Sequence, residues 1–159
     1  CPKKNLYQMI NHINFISLAS FLREQQVSKL YELALTCNEF HTHQSSTSGK
    51  KSALQFLNIS DEVVTRATIM KMDPLAVQDW HVDGKRSTVL IYPLSPAYQP
   101  GQVESGYYYG PVLLNVKTKH AVFNNNAVRM NFQVAFDTTI DKIDIEEEID
   151  LIKNWIFLI

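Results

Sequence analysis

The segment VRMNFQVAFD, residues 128–137, restricts the possible folds of this chain more than any other stretch. Read at alternate positions, it gives Met130, Phe132, Val134 and Phe136 on one parity and Arg129, Asn131 and Gln133 on the other. Side chains of a strand alternate between its two faces, so this is a β-strand with one wholly apolar face that other parts of the chain must cover. The polar face admits two readings. One is solvent, the ordinary arrangement in an antiparallel sheet. The other is the polar interior of a small jelly roll, whose lumen holds an anionic ligand while helices cover the outside. Arginine suits the second, because a guanidinium clamps a carboxylate through two parallel charge-assisted hydrogen bonds.

Turn chemistry separates further β-like segments around 53–59, 65–72, 87–94, 106–109 and 112–116, and their lengths and spacing predict a sandwich or barrel. Ahead of them, SFLREQQVSKLYELALTC places Val27, Leu30, Tyr31 and Ala34 at i, i+3, i+4 and i+7, one buried helical stripe, with Ser20 as its N-cap. NLYQMINHINFI, residues 5–16, reads as a strand leading into that helix, and the Ser/Thr-rich run 38–52 as a surface loop. At the other end, DIEEEIDLIKNWIFLI aligns Ile145, Ile149, Ile152 and Ile156 on one helical face, with acids in the first turns as the helix dipole favours. The expectation is one domain over 1–159: an N-terminal strand and helix within 1–37, a jelly-roll core about 53–137, and a C-terminal helix about 144–157.

With 45% hydrophobic residues, 159 residues enclose a real core. A formal net charge of −1 supplies no basic field, so nucleic-acid backbone binding is not indicated. No apolar run spans a bilayer and no signal-peptide core is evident, so no membrane partner is expected. Cys1 and Cys37 lack metal-type spacing, which predicts free thiols in a reducing, cytoplasmic setting. Opening at Cys1 and closing on the apolar IFLI, the chain reads as a piece of a longer product.

DWHVDGKRSTVLIYPLS, residues 79–95, sets His81 and Asp83 two apart just before a strand, so that an imidazole and a carboxylate converge. LLNVKTKHAVFNNNAVR brings a third candidate ligand, His120, nine residues before Arg129. His81-x-Asp83, His120 after 39 residues and then Arg129 resemble the Fe(II)/2-oxoglutarate-dependent dioxygenase pattern. RATIMKMDPLAVQDWHVDG is similar to the family's strand, proline-containing turn and strand before the first ligand, and the resemblance runs from about Thr65 to Asp137. The aspartyl/asparaginyl and prolyl hydroxylase branches are the most similar. The 39-residue spacing is toward the short side for the family.

The resemblance implies a double-stranded β-helix (jelly roll, cupin-like), mainly β with flanking helices. It implies His81, Asp83 and His120 as metal and catalytic ligands on one face of an Fe(II) octahedron, with three positions left for 2-oxoglutarate and O2. Arg129 would pair with the far carboxylate of 2-oxoglutarate, with Asn131 and Tyr92 as further hydrogen-bonding candidates. The implied activity is hydroxylation of a peptide or small-molecule substrate, with 2-oxoglutarate decarboxylated to succinate and CO2. A jelly-roll binding or structural module without turnover is the alternative, since fold does not dictate function.

Other residues carry weaker signals. His41 and His43 lie in the polar loop without a third ligand, and His12 reads as a surface or packed histidine. Tyr107, Tyr108 and Tyr109 fit either a β-edge or a substrate-contacting lip. Trp80, of opposite parity to His81, is expected to pack behind the site, and Lys85 and Arg86 to form a solvated turn that could also steer an acidic substrate.

Overall fold

The computed structural model describes residues 14–37, 41–42, 47–49, 51–57, 64–95 and 100–157. Its strands are β1 (Phe15–Ser17), β2 (His41–Thr42), β3 (Thr47–Ser48), β4 (Lys51–Leu57), β5 (Val64–Met72), β6 (Val77–His81), β7 (Thr88–Pro93), β8 (Gly101–Val103), β9 (Gly106–Tyr108), β10 (Val112–Asn115), β11 (His120–Phe123) and β12 (Arg129–Phe136). Two helices, α1 (Glu24–Thr36) and α2 (Ile145–Phe157), and a 3-10 turn at Ile140–Lys142 complete it. The strands form a seven-stranded sheet, β1-β10-β7-β12-β5-β4-β2, and a five-stranded sheet, β3-β6-β11-β8-β9. Every pairing is antiparallel. Inward residues of the two sheets meet each other, which makes the structure the expected jelly roll.

β12 lies at the centre of the larger sheet between β5 and β7, and all eight of its residues are buried. Its apolar parity, Met130, Phe132, Val134 and Phe136, packs with Leu90 and Tyr92 of β7 and Ile69 of β5 beneath Leu30 and Ala34 of α1 and Ile152 and Ile156 of α2. The polar parity therefore faces the second sheet and not solvent. Part of the interior between the sheets is apolar as well: Val89, Ile91, Val112, Leu114 and Ala135 meet Val103 and Tyr108 there. Gly101 makes this packing possible, because a Cβ at that position would run into the Tyr108 ring.

The helical stripe forms as its spacing predicts, but the helix starts at Glu24 and Ser20 is not its N-cap. Leu22 sinks into the core just before the helix, and its N–H donates to the Tyr92 hydroxyl at 3.2 Å, so tertiary packing overrides the local capping signal. Gln26 caps instead, accepting the Arg23 N–H at 2.9 Å. The polar run after α1 is not a continuous loop either, since β2, β3 and the start of β4 fall within it. Cys1, His12 and His43 lie outside the described residues, as does the side chain of His41. Cys37 is a free thiol. No helix among the described residues is long and apolar enough to cross a membrane.

Candidate metal centre

β6 and β11 supply the two histidines. His81 ends β6, His120 opens β11, and the two pair across the small sheet. From this pair to the next, Val122 with Gln78, β11 advances two residues and β6 three, so β6 carries an extra residue at Asp79–Trp80. Such a bulge re-aims side chains. It turns Gln78 and His81, three apart, into the same interior cleft. It also brings the Asp79 carbonyl to His81, whose Nδ1 lies 2.6 Å away. His120 has the matching arrangement, with Nδ1 2.8 Å from the Thr118 carbonyl.

A carbonyl only accepts, so each Nδ1 carries the proton and each Nε2 presents a lone pair. Both lone pairs turn toward one carboxylate oxygen: Asp83 Oδ1 is 3.4 Å from His81 Nε2 and 3.3 Å from His120 Nε2. One ligand atom from each of the three residues fits within 4.8 Å of the others. Bonds of about 2.1 Å at right angles would set such donors about 3 Å apart, close to the two distances from Asp83 Oδ1. Gln78 Nε2 lies 3.2 Å from His81 Nε2, on the same lone pair.

Asp83 does not reach this point by strand alternation, because β6 has ended; it sits in the turn between β6 and β7. Arg86 grips its other oxygen: Nε and Nη2 donate to Oδ2 at 3.1 and 2.7 Å. Arg86 is thus part of the site, contrary to its reading as a solvated turn residue. Burial alone would push the Asp83 carboxyl up, but in the absence of a metal an Nε2 proton on His120 or His81 would donate to it, and this together with the Arg86 charge holds it far below the usual carboxylate range. It is anionic throughout the physiological range.

The cleft, about 40 Å³, is lined by this triad, by Gln78 and Arg86, and by Arg129 and Gln133 from β12. Arg129 and Gln133 are 5% and 8% exposed, which settles the direction of the polar parity. Asn131, between them, is 1% exposed, and neither its amide nitrogen nor its amide oxygen has a hydrogen-bond partner among the described residues. Tyr92 requires a correction. It pairs with Phe132 on the helix-covered face, stacks edge-on with Phe21 at 4.9 Å and accepts from Leu22, so it does not face the cleft. On β7 the inward positions are Val89 and Ile91, one residue out of phase with Tyr92.

The tyrosine cluster divides between roles. Tyr108 is buried and lines the cleft, whereas Tyr107 and Tyr109 are exposed and 6.4 Å apart. Trp80 does not pack behind the site: it is 42% exposed, with its ring 6.5 Å from that of Phe123. The Asn-rich turn after β11 has a structural task. Asn124 Nδ2 donates to the carbonyls of Asp73 and Ala127, and the Asn125 carbonyl accepts from Leu75, whose φ of 63° is costly for a branched residue. These bonds fasten the β5–β6 turn that precedes the first histidine. Gln78, Arg86, Gln133 and Tyr108 are the cleft residues that motif spacing does not reveal. Gln133 had a signal in its parity with Arg129; Gln78 depends on the bulge, which nothing in the sequence marks.

No family model and no curated protein matches the chain by sequence. Solved structures do share its fold. A prolyl-4-hydroxylase from Pseudomonas putida superposes with a TM-score of 0.63 at 11% identity, over 80% of this chain and 94% of that one. A 2OG-Fe(II) oxygenase family oxidoreductase from Burkholderia pseudomallei gives 0.62 at 9% identity, over 86% and 92%. A prolyl hydroxylase from Trichoplax adhaerens, in complex with a hypoxia inducible factor oxygen degradation domain peptide fragment, gives 0.60 at 14% identity, over 81% and 86%. At these identities the likeness is one of fold.

Proposed function

We propose that this chain is an Fe(II)- and 2-oxoglutarate-dependent oxygenase that hydroxylates a peptide or small-molecule substrate. His81, Asp83 and His120 are its metal ligands, and Arg129 and Asn131 bind the far carboxylate of 2-oxoglutarate. The observation that carries this reading is the convergence of two Nε2 lone pairs on a carboxylate oxygen, with both Nδ1 protons already committed to carbonyls. Three acceptors facing one another repel unless a cation sits among them, and two neutral imidazoles with one carboxylate suit Fe(II) while leaving coordination positions open.

The residues also fit the keto acid. Asn131 is a buried amide without a hydrogen-bond partner among the described residues, and an amide hydrogen in that condition costs free energy until an acceptor arrives. Arg129 stands two residues away on the same strand face, with the charge and the fork that a carboxylate takes. When bound, the metal and keto acid would activate O2, one oxygen atom going into succinate as 2-oxoglutarate loses CO2 and the other hydroxylating a substrate C–H bond. The Asp79 and Thr118 carbonyls fix both imidazole rings, and Asp83 stays anionic. Val89, Ile91, Leu114 and Val116 form an apolar wall that keeps bulk water out. The peptide held by the Trichoplax neighbour makes peptides the first class to screen.

The small cleft favours a second reading, a jelly-roll binding module without turnover. About 40 Å³ accommodates a water molecule or two, so a keto acid enters only if cleft side chains rotate. One experiment separates the readings. Anaerobic loading with Fe(II) and then 2-oxoglutarate is expected to produce the weak visible charge-transfer band of a chelated keto acid, followed in air by succinate release. His81→Ala with His120→Ala is expected to abolish metal uptake and the band together. Full metal content in that variant refutes the ligand assignment; metal binding by the wild type with no band and no succinate favours the module.

A further inference from the structure

The turn that carries Asp83 is held at every hydrogen-bonding group of that residue except one. Its N–H donates to the Val116 carbonyl at 2.9 Å. Its carbonyl accepts from Lys117 Nζ at 2.9 Å, and the same ammonium reaches the Gly84 carbonyl at 3.0 Å. Its Oδ2 takes both N–H groups of the Arg86 fork. Only Oδ1 is left to face the histidines. Val116 and Lys117 belong to the turn that leads into His120, and Val116 N–H returns a bond to the Ser87 carbonyl at 3.2 Å. The two turns that present the triad are thereby tied directly to each other, by main-chain bonds and by one lysine.

From this geometry we infer that Arg86 and Lys117 are positioning residues that make Asp83 a one-oxygen metal ligand: Arg86 withholds Oδ2, and Lys117 sets the distance between the Asp83 and His120 turns. The inference rests on the reading of His81, Asp83 and His120 as a metal site. A carboxylate free to rotate can take a cation through both oxygens, which uses an additional coordination position. With Oδ2 engaged by two charge-assisted bonds, that rotation costs both of them, and the position stays open for an incoming ligand. Arg86 acts on the side chain and Lys117 on the main chain, so substitutions at the two sites have different signatures.

The test is Co(II) titration of the metal-free protein, followed by visible absorption, with near-ultraviolet circular dichroism as the check on fold. Arg86→Met is expected to weaken Co(II) binding about ten- to a hundredfold, as loss of a group that orients a metal ligand does. Its ligand-field band is expected to weaken as the second Asp83 oxygen raises the coordination number. Arg86→Lys, which keeps the charge but not the fork, recovers part of the affinity. Arg86→Gln keeps a donor on a shorter stem and serves the same comparison should the methionine variant lose its fold. Lys117→Met is expected to lower affinity with the wild-type band unchanged, because Oδ2 is still held. If the wild type takes up no Co(II) at a single site, the metal reading fails and the strap with it. If the wild type binds while Arg86→Met and Arg86→Gln match it in affinity and spectrum, the strap alone is overturned.

Discussion

Asn131→Leu should make the ligand-free protein more stable and a poorer binder of 2-oxoglutarate. Asn131 is 1% exposed, sits opposite Met70 on one side and Pro93 on the other, and leaves both side-chain polar atoms without partners among the described residues. A buried polar group in that condition costs about 1–3 kcal/mol. Leucine has the same branching at Cγ and adds no polar atom, so it removes the penalty while retaining most of the volume. For a domain of this size, about 1 kcal/mol moves Tm by roughly 2–4 °C, so a rise of roughly 2–12 °C is expected. Loss of a hydrogen bond to the keto acid's carboxylate should weaken its binding by about 1.5–3 kcal/mol, a dissociation constant about ten- to 150-fold higher. Differential scanning calorimetry on the metal-free protein and anaerobic titration of the metal-loaded one read the two effects separately. A lower Tm with unchanged 2-oxoglutarate affinity would refute the reasoning, because the amide would then be satisfied in the fold and irrelevant to the ligand.

The opposite faces of β12 should respond differently: Arg129→Met should raise the 2-oxoglutarate dissociation constant about ten- to 150-fold. Phe132→Ala, at a fully buried position, should cost on the order of 3–5 kcal/mol in denaturant unfolding with no selective effect on ligand affinity. Tyr92→Phe should lose about 0.5–1.5 kcal/mol of stability, from the bond to Leu22 N–H, and leave 2-oxoglutarate binding unchanged; a selective loss of binding would return Tyr92 to the site. In the metal-free protein, the Asp83 carboxyl is depressed in the folded state, so its contribution to stability is complete above its unfolded value near 3.8 and is lost as pH falls through the lower folded value. Denaturant midpoints measured from pH 7 downward should therefore fall below about pH 4 more steeply in the wild type than in Asp83→Asn, and parallel curves would contradict this.

Periodicity made much of the architecture legible in the sequence. Both parities of β12 are buried, and in the predicted helical stripes Leu30 and Ala34 of α1 and Ile152 and Ile156 of α2 are buried, while Val27, Tyr31, Ile145 and Ile149 are half-buried. The three candidate ligands also stood out, because histidine and aspartate are few and their order along the chain is distinctive. Alternation alone does not say which face of a strand meets solvent. That was decided when the helices covered Phe132 and the second sheet covered Arg129, and both faces became interior. Tyr92 was misassigned for the same reason: its phase within β7 depends on the register with β12, a pairing between residues forty apart in the chain. Arg86, Gln78 and Lys117 entered the site through a bulge and two turns, whose conformations come from long-range hydrogen bonds that leave no periodic trace. Local chemistry thus determined which residues could form elements and ligate, while contacts distant in sequence determined which way those residues face.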